Sequence, residues 1–179
     1  MESGDTEGAL YMLRALADDG VAAAMAEIGV FHETGTDPVK EDLGEAIKWY
    51  RRAADSGDME GLLAMARLHL TGQGVPVDYE ISREYYQAIV EKVEDRRALF
   101  GLAWIFHKGF GVCPDLGRAE EFYLRANAAG HLLARKWLAA MYWSNGRHLK
   151  AAWHWISAIV KIWFTALFDK RSLKLHRQL

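Results

Sequence analysis

Gly72-Gln73-Gly74-Val75-Pro76-Val77-Asp78 comes back 37 residues later as Gly109-Phe110-Gly111-Val112-Cys113-Pro114-Asp115, and this return decides the fold. Gly35 lies the same 37 residues before Gly72, and Gly20 and Gly57 are separated by that interval too. A fixed period of this length belongs to stacked helical hairpins, in which no unit buries its apolar face alone. On either side the register holds. Ala24 to Gly29 aligns with Gly61 to Ala66 and with Ala98 to Ala103, and Ala46 to Ala54 aligns with Ala119 to Asn127, Ser82 to Val90 being a weaker middle copy.

Small residues four or five apart, followed by an aromatic, form one stripe of a helix. Gly29, Ala66, Ala103 and Ala139 are expected to let neighbouring helices approach, with the pairs Trp49/Tyr50, Tyr85/Tyr86 and Phe122/Tyr123 filling the space between hairpins. Asp78 and Asp115 are placed to cap the second helix of their units, and Asp42 with Glu45 to form a capping box. The spacing predicts helices over about 7–18, 22–34, 42–56, 59–71, 79–92, 95–108, 116–129, 132–144 and 147–168. Alternating strand patterns are absent.

Composition agrees with one folded domain: 179 residues, 51% hydrophobic, 26% charged, three prolines. Cys113 has no partner for an internal disulfide or a CxxC site. The opening MESGDTEGAL lacks a basic n-region and an apolar core, which makes a cytoplasmic location the expectation. Charge is polarised: residues 1–60 carry five basic and fourteen acidic side chains, residues 61–160 twelve and nine, residues 161–179 five and one. A net charge of −2 without a basic stripe in the first third argues against nucleic acid as partner.

These residues resemble the Sel-one-like repeat (SLR), a tetratricopeptide-like helical hairpin whose pattern is an alanine, Leu-Gly, an aromatic, Gly-x-Gly-Val, an Asp, an alanine, Trp-Tyr and a closing Ala-Ala and Gly. Residues 21–57 carry Ala24, Ile28-Gly29, Gly35, Asp42, Ala46, Trp49-Tyr50, Ala53-Ala54 and Gly57. Residues 94–130 carry Ala98, Leu102, Phe106, Gly109, Gly111-Val112, Asp115, Ala119, Phe122-Tyr123, Ala126 and Gly130. Residues 58–93 match in the loop and less afterwards, where Ser82, Ile89-Val90 and Val93 replace small residues. The resemblance implies an all-α fold, a right-handed α-solenoid of stacked helix-turn-helix repeats. The expected layout is one domain over residues 1–179: a half repeat at 7–20, repeats at 21–57, 58–93 and 94–130, a shortened repeat at 131–152, and an apolar C-terminal capping helix with a basic tail at 153–179.

Catalysis has no visible carrier, so a non-enzyme without cofactor is expected. The glycine loops follow helices and lack GK[ST], which makes them hairpin turns and not phosphate cradles. His32 and His69 share the aromatic position of successive units and could approach a common metal, yet no third ligand accompanies them. Trp153 to Phe168 is too short and too interrupted by Lys161 for a membrane span. It reads as a cap, with association of two chains or contact with a lipid surface as alternatives and membrane contact the least favoured.

In tetratricopeptide-like solenoids the first helices line a concave face, and the resemblance carries that geometry to Ala26, Val30 and Glu33; Leu63, Arg67 and Leu70; Phe100, Trp104 and His107; and Lys136 and Trp143. The candidate partner-binding residues are Glu33, Arg67, Phe100, Trp104, His107, Lys136 and Trp143, because aromatics and arginine dominate interface energy when buried. The implied role is a protein-interaction scaffold or adaptor for a protein or peptide, an acidic one fitting the cations. Self-assembly through the C-terminal helix, giving a homo-oligomer, is the alternative, and a His-based metal or enzyme module the weaker one.

Overall fold

The structure, a computed structural model, describes residues 3–35, 39–154, 156 and 160. Helices follow one another along the described residues: α1 (Ser3–Asp18), α2 (Ala22–Thr34), α3 (Leu43–Asp55), α4 (Met59–Thr71), α5 (Tyr79–Val90), α6 (Arg96–Lys108), α7 (Leu116–Ala128) and α8 (Ala134–Ser144). Residues 148–154 are helical again, and no strand occurs among the described residues. The chain is an all-helical repeat solenoid. Helix α1 starts four residues before the predicted boundary, and the remainder of the predicted capping helix and the basic tail lie outside the described residues.

Aspartates start most of the helices. Asp58 accepts from Gly61 N at 2.9 Å, Asp78 from Ile81 N at 3.0 Å, Asp95 from Ala98 N at 3.0 Å and Asp115 from Arg118 N at 2.9 Å. Asp42 also caps, accepting from Glu45 N at 3.0 Å, but the reciprocal half of the expected capping box is not made. The Asp42 N–H instead donates to the His32 carbonyl at 2.8 Å, and the Glu45 carboxylate takes Lys48. That backbone bond recurs once per unit, Asp78 N to His69 O and Asp115 N to Phe106 O, and closes each hairpin loop. Gly35, Gly72 and Gly109 end their helices at φ of 63°, 73° and 72°, the left-handed conformation that spares glycine the Cβ clash.

Consecutive helices pack along the chain, and α2 also touches α4 as α4 touches α6, so the first helices of successive units share a face. The core is correspondingly segmented, one cluster around Ile28 and Ala53, one around Met65 and Leu68, and one around Leu99 and Tyr123. Ser82, which departs from the small apolar residue of its neighbours, is fully buried and its hydroxyl donates to Ala66 O at 2.8 Å, so the hydroxyl is accommodated without an orphaned polar group.

Candidate functional site

Two sectors occupy the shared face. The first is built across α2, α4 and α6. Arg67 donates from Nη2 to Glu33 Oε1 at 2.6 Å and from Nη1 to Gln73 at 2.9 Å. The other carboxylate oxygen of Glu33 accepts from the Tyr50 hydroxyl at 2.6 Å. About two turns away on α4, Glu60 is gripped by both Nη atoms of Arg97, at 2.8 and 2.5 Å. These two pairs border a cavity of about 390 Å³ whose apolar wall is Val30, Leu63 and Ala64 and whose floor is formed by Tyr50 and Tyr86. Burial pushes the Tyr86 phenol up to about 12 against the pull of the Arg67 cation, so it stays protonated.

The second sector is aromatic. Phe100 stacks on His131 with centroids 4.1 Å apart and on Trp104 at 6.4 Å. Trp104 meets Trp137 of α8 edge-on at 4.3 Å and His107 at 6.1 Å, and the Lys108 ammonium lies 5.1 Å from the Trp104 ring centre. Beneath, the Tyr123 hydroxyl and His107 Nδ1 are hydrogen-bonded at 3.1 Å. Thus Glu33 and Arg67, expected on the face as separate partner-binding residues, form one ion pair. Phe100, Trp104 and His107 form one cluster. Lys136 is exposed on α8, and Trp143, 63% exposed, sits edge-on to His148. The residues that sequence reasoning left out of the site are Tyr50, Tyr86, Arg97, Lys108 and Trp137. Glu60 and Arg97 stand one period apart, a signal that could have found the second pair.

His69 is buried, with Nδ1 3.4 Å from the Pro76 carbonyl oxygen, and His32 Nδ1 is buried without a hydrogen-bond partner among the described residues. Among the described residues no group of three or more His, Cys, Asp or Glu is arranged to hold a metal ion, and no helix is long and apolar enough to cross a membrane.

Protonation ties the second sector to pH. Burial first, then the Lys108 charge, holds His107 below the ordinary imidazole range, and burial followed by the Arg96 cation does the same for His131. A depressed folded pKa means that the unfolded chain binds more protons in the window beneath the ordinary value of about 6.5. Stability from these groups is therefore fully present above that value and lost as pH falls toward the folded pKa values. Melting temperature is expected to fall between pH 7 and pH 5, and His107→Gln with His131→Gln to flatten that slope; an unchanged slope would place these rings in water.

Helical hairpins stacked along one axis, their first helices sharing a face, define an α-solenoid. The Sel1 repeat model matches residues 22–58, 60–91 and 96–131, and the chain belongs to the Sel1 repeat family. Mouse protein sel-1 homolog 2 is 34% identical over 125 residues, 68% of this chain and 18% of its own length. Sel1-repeat-containing protein YjcO of Escherichia coli strain K12 is 27% identical over 169 residues, 87% of this chain and 71% of its own. The crystal structure of a Sel1 repeat protein from Oxalobacter formigenes superposes with a TM-score of 0.72 at 29% identity, over 85% of this chain and 63% of that one. The chain spans under a fifth of the length of the sel-1 homologues it matches. Proteins of this family generally serve as scaffolds for protein–protein contacts.

Proposed function

We propose that the chain is a non-catalytic adaptor that seats a protein or peptide along the face formed by α2, α4, α6 and α8. The observation that supports it is the cluster of Phe100, Trp104 and Trp137, half-buried on that face beside Lys108, with Lys136 exposed next to Trp137 in the chain. Aromatic rings next to cations, short of full burial, have large area still to bury against a partner. An acidic segment with an apolar anchor suits this end, the rings taking the anchor and the lysines the charge. Binding then weakens as salt rises. A cytoplasmic setting belongs to the same reading, the exposed free Cys113 suiting a reducing compartment.

The test is capture of a partner from native lysate by the full chain, followed by measurement of the purified pair. Trp104→Ala with Lys136→Glu is expected to weaken binding at least tenfold, about 1.4 kcal/mol, while helicity stays intact. If capture survives this change and disappears only on removal of residues 153–179, the face is the wrong surface. That outcome would make the C-terminal helix the contact surface, while the second reading is self-association through the end of the solenoid, where Leu149 and Trp153 are 89% and 69% exposed. Light scattering separates the two.

A further inference from the structure

We propose that the cavity between α2, α4 and α6 seats one uncharged aliphatic residue of a partner polypeptide, its side chain against Val30, Leu63 and Ala64 and its main-chain carbonyl accepting a hydrogen bond from Tyr86. This rests on the adaptor reading and names what one point of the face selects. Tyr86 carries it. The residue is 6% exposed and lines the cavity, and its hydroxyl has no hydrogen-bond partner among the described residues. Its ring is held in place by Gly101, where a Cβ would stand 2.5 Å from Tyr86 Cζ.

A buried phenol ordinarily finds a partner. The tyrosines at the same position of the neighbouring units do: Tyr50 donates to Glu33 and Tyr123 is hydrogen-bonded to His107. Glu33 and His107 lie 37 residues to either side of Leu70. In the middle unit an aliphatic side chain thus replaces the expected hydrogen-bond partner, and the hydroxyl without one belongs to a residue that lines the cavity.

Charge decides the class of occupant. The cavity is bordered by two guanidinium groups and two carboxylates already joined as Arg67–Glu33 and Arg97–Glu60, so its net charge is zero. An entering carboxylate would gain Arg67 but face Glu33 and Glu60, and an ammonium would meet the converse. An uncharged residue meets neither penalty, and its carbonyl matches the spare phenol proton. The volume, about 390 Å³, is that of a small ligand site.

The test is an NMR titration of the full ¹⁵N-labelled chain, read at the amides of Leu63 and Ala64, with the capped tripeptide acetyl-Ala-Leu-Ala-amide and its Glu and Lys counterparts. The leucine peptide is expected to give saturable shifts at millimolar concentration, and the charged peptides to bind at least tenfold more weakly. Tyr86→Phe should weaken the leucine peptide by about three- to tenfold, the worth of one hydrogen bond, and leave the melting temperature unchanged because the hydroxyl has no partner to lose. Absence of saturable shifts, a Glu peptide that binds as well as the leucine one, or unaltered affinity in Tyr86→Phe would each overturn the proposal. Failed titration with partner capture intact rejects the cavity alone. A normal titration, with capture indifferent to Trp104→Ala and Lys136→Glu, rejects the groove reading alone.

Discussion

Tyr123→Ala is expected to lower the unfolding free energy by about 3–5 kcal/mol, the usual cost of deleting a buried aromatic ring. Tyr123 is fully buried in the cluster shared by α6, α7 and α8, with Phe100 edge-on at 5.7 Å and Leu138 and Ala119 in the same cluster. Truncation removes the ring and also strips His107 Nδ1 of its hydrogen-bond partner. Against a total near 5–15 kcal/mol for an ordinary domain, that is a large share. Contacts run chiefly between sequential helices, so the damage is expected to stay local, with α6 to α8 opening before α2 to α5. Denaturant unfolding followed by circular dichroism, with hydrogen exchange to place the opening, measures both. Tyr123→Phe, which keeps the ring, should cost only about 1 kcal/mol. If alanine costs no more than phenylalanine, the ring is not packed as described.

The second large effect is expected where α3 crosses α4. A Cβ built on Gly61 would lie 2.6 Å from Ala54 N, 2.7 Å from Ala53 Cβ and 2.9 Å from Ala53 C. These are backbone and stub atoms, with no flexible side chain to swing aside. Gly61→Ala therefore forces the two helices apart, and the overpacking cost of about 1–3 kcal/mol should outweigh the gain in helix propensity. Gly8→Ala supplies the control. It sits inside α1, nothing lies within 4 Å of the new Cβ, and propensity alone should stabilise the chain by up to about 1 kcal/mol. Opposite signs in thermal melts are the expected result. A stabilising Gly61→Ala would mean that the crossing is loose.

The fold was legible because it rests on signals that recur. Gly72 and Gly109 mark the hairpin loops, and Asp78 and Asp115 mark the next helix start, since left-handed φ and N-capping each admit few residue types. The face was legible more coarsely. Its residues follow from helical spacing, but their partners do not. Glu33 and Arg67 are 34 residues apart, off the period, because a long guanidinium reaches diagonally across units, and no repeat alignment displays that reach. The half-made capping box at Asp42 has the same origin: the competing acceptor is the His32 carbonyl, supplied by the last turn of α2 and not by the local sequence. Tyr86 looked like another packing tyrosine. Its spare hydroxyl becomes visible only when the residues that its counterparts touch are known, which sets Leu70 against Glu33 and His107.

The bidentate pair of Glu60 with Arg97 also gives the units an order. The two residues hold the same place in adjacent units, one carrying a negative head and the other a positive one. A tandem copy of either unit alone would set glutamate beside glutamate or arginine beside arginine at the new junction, turning an attraction worth about 0.2–1 kcal/mol into a repulsion. Copying both together would set arginine beside glutamate at every seam. The middle of this solenoid can accordingly lengthen in twos at little electrostatic cost, and its neighbouring modules are not interchangeable parts.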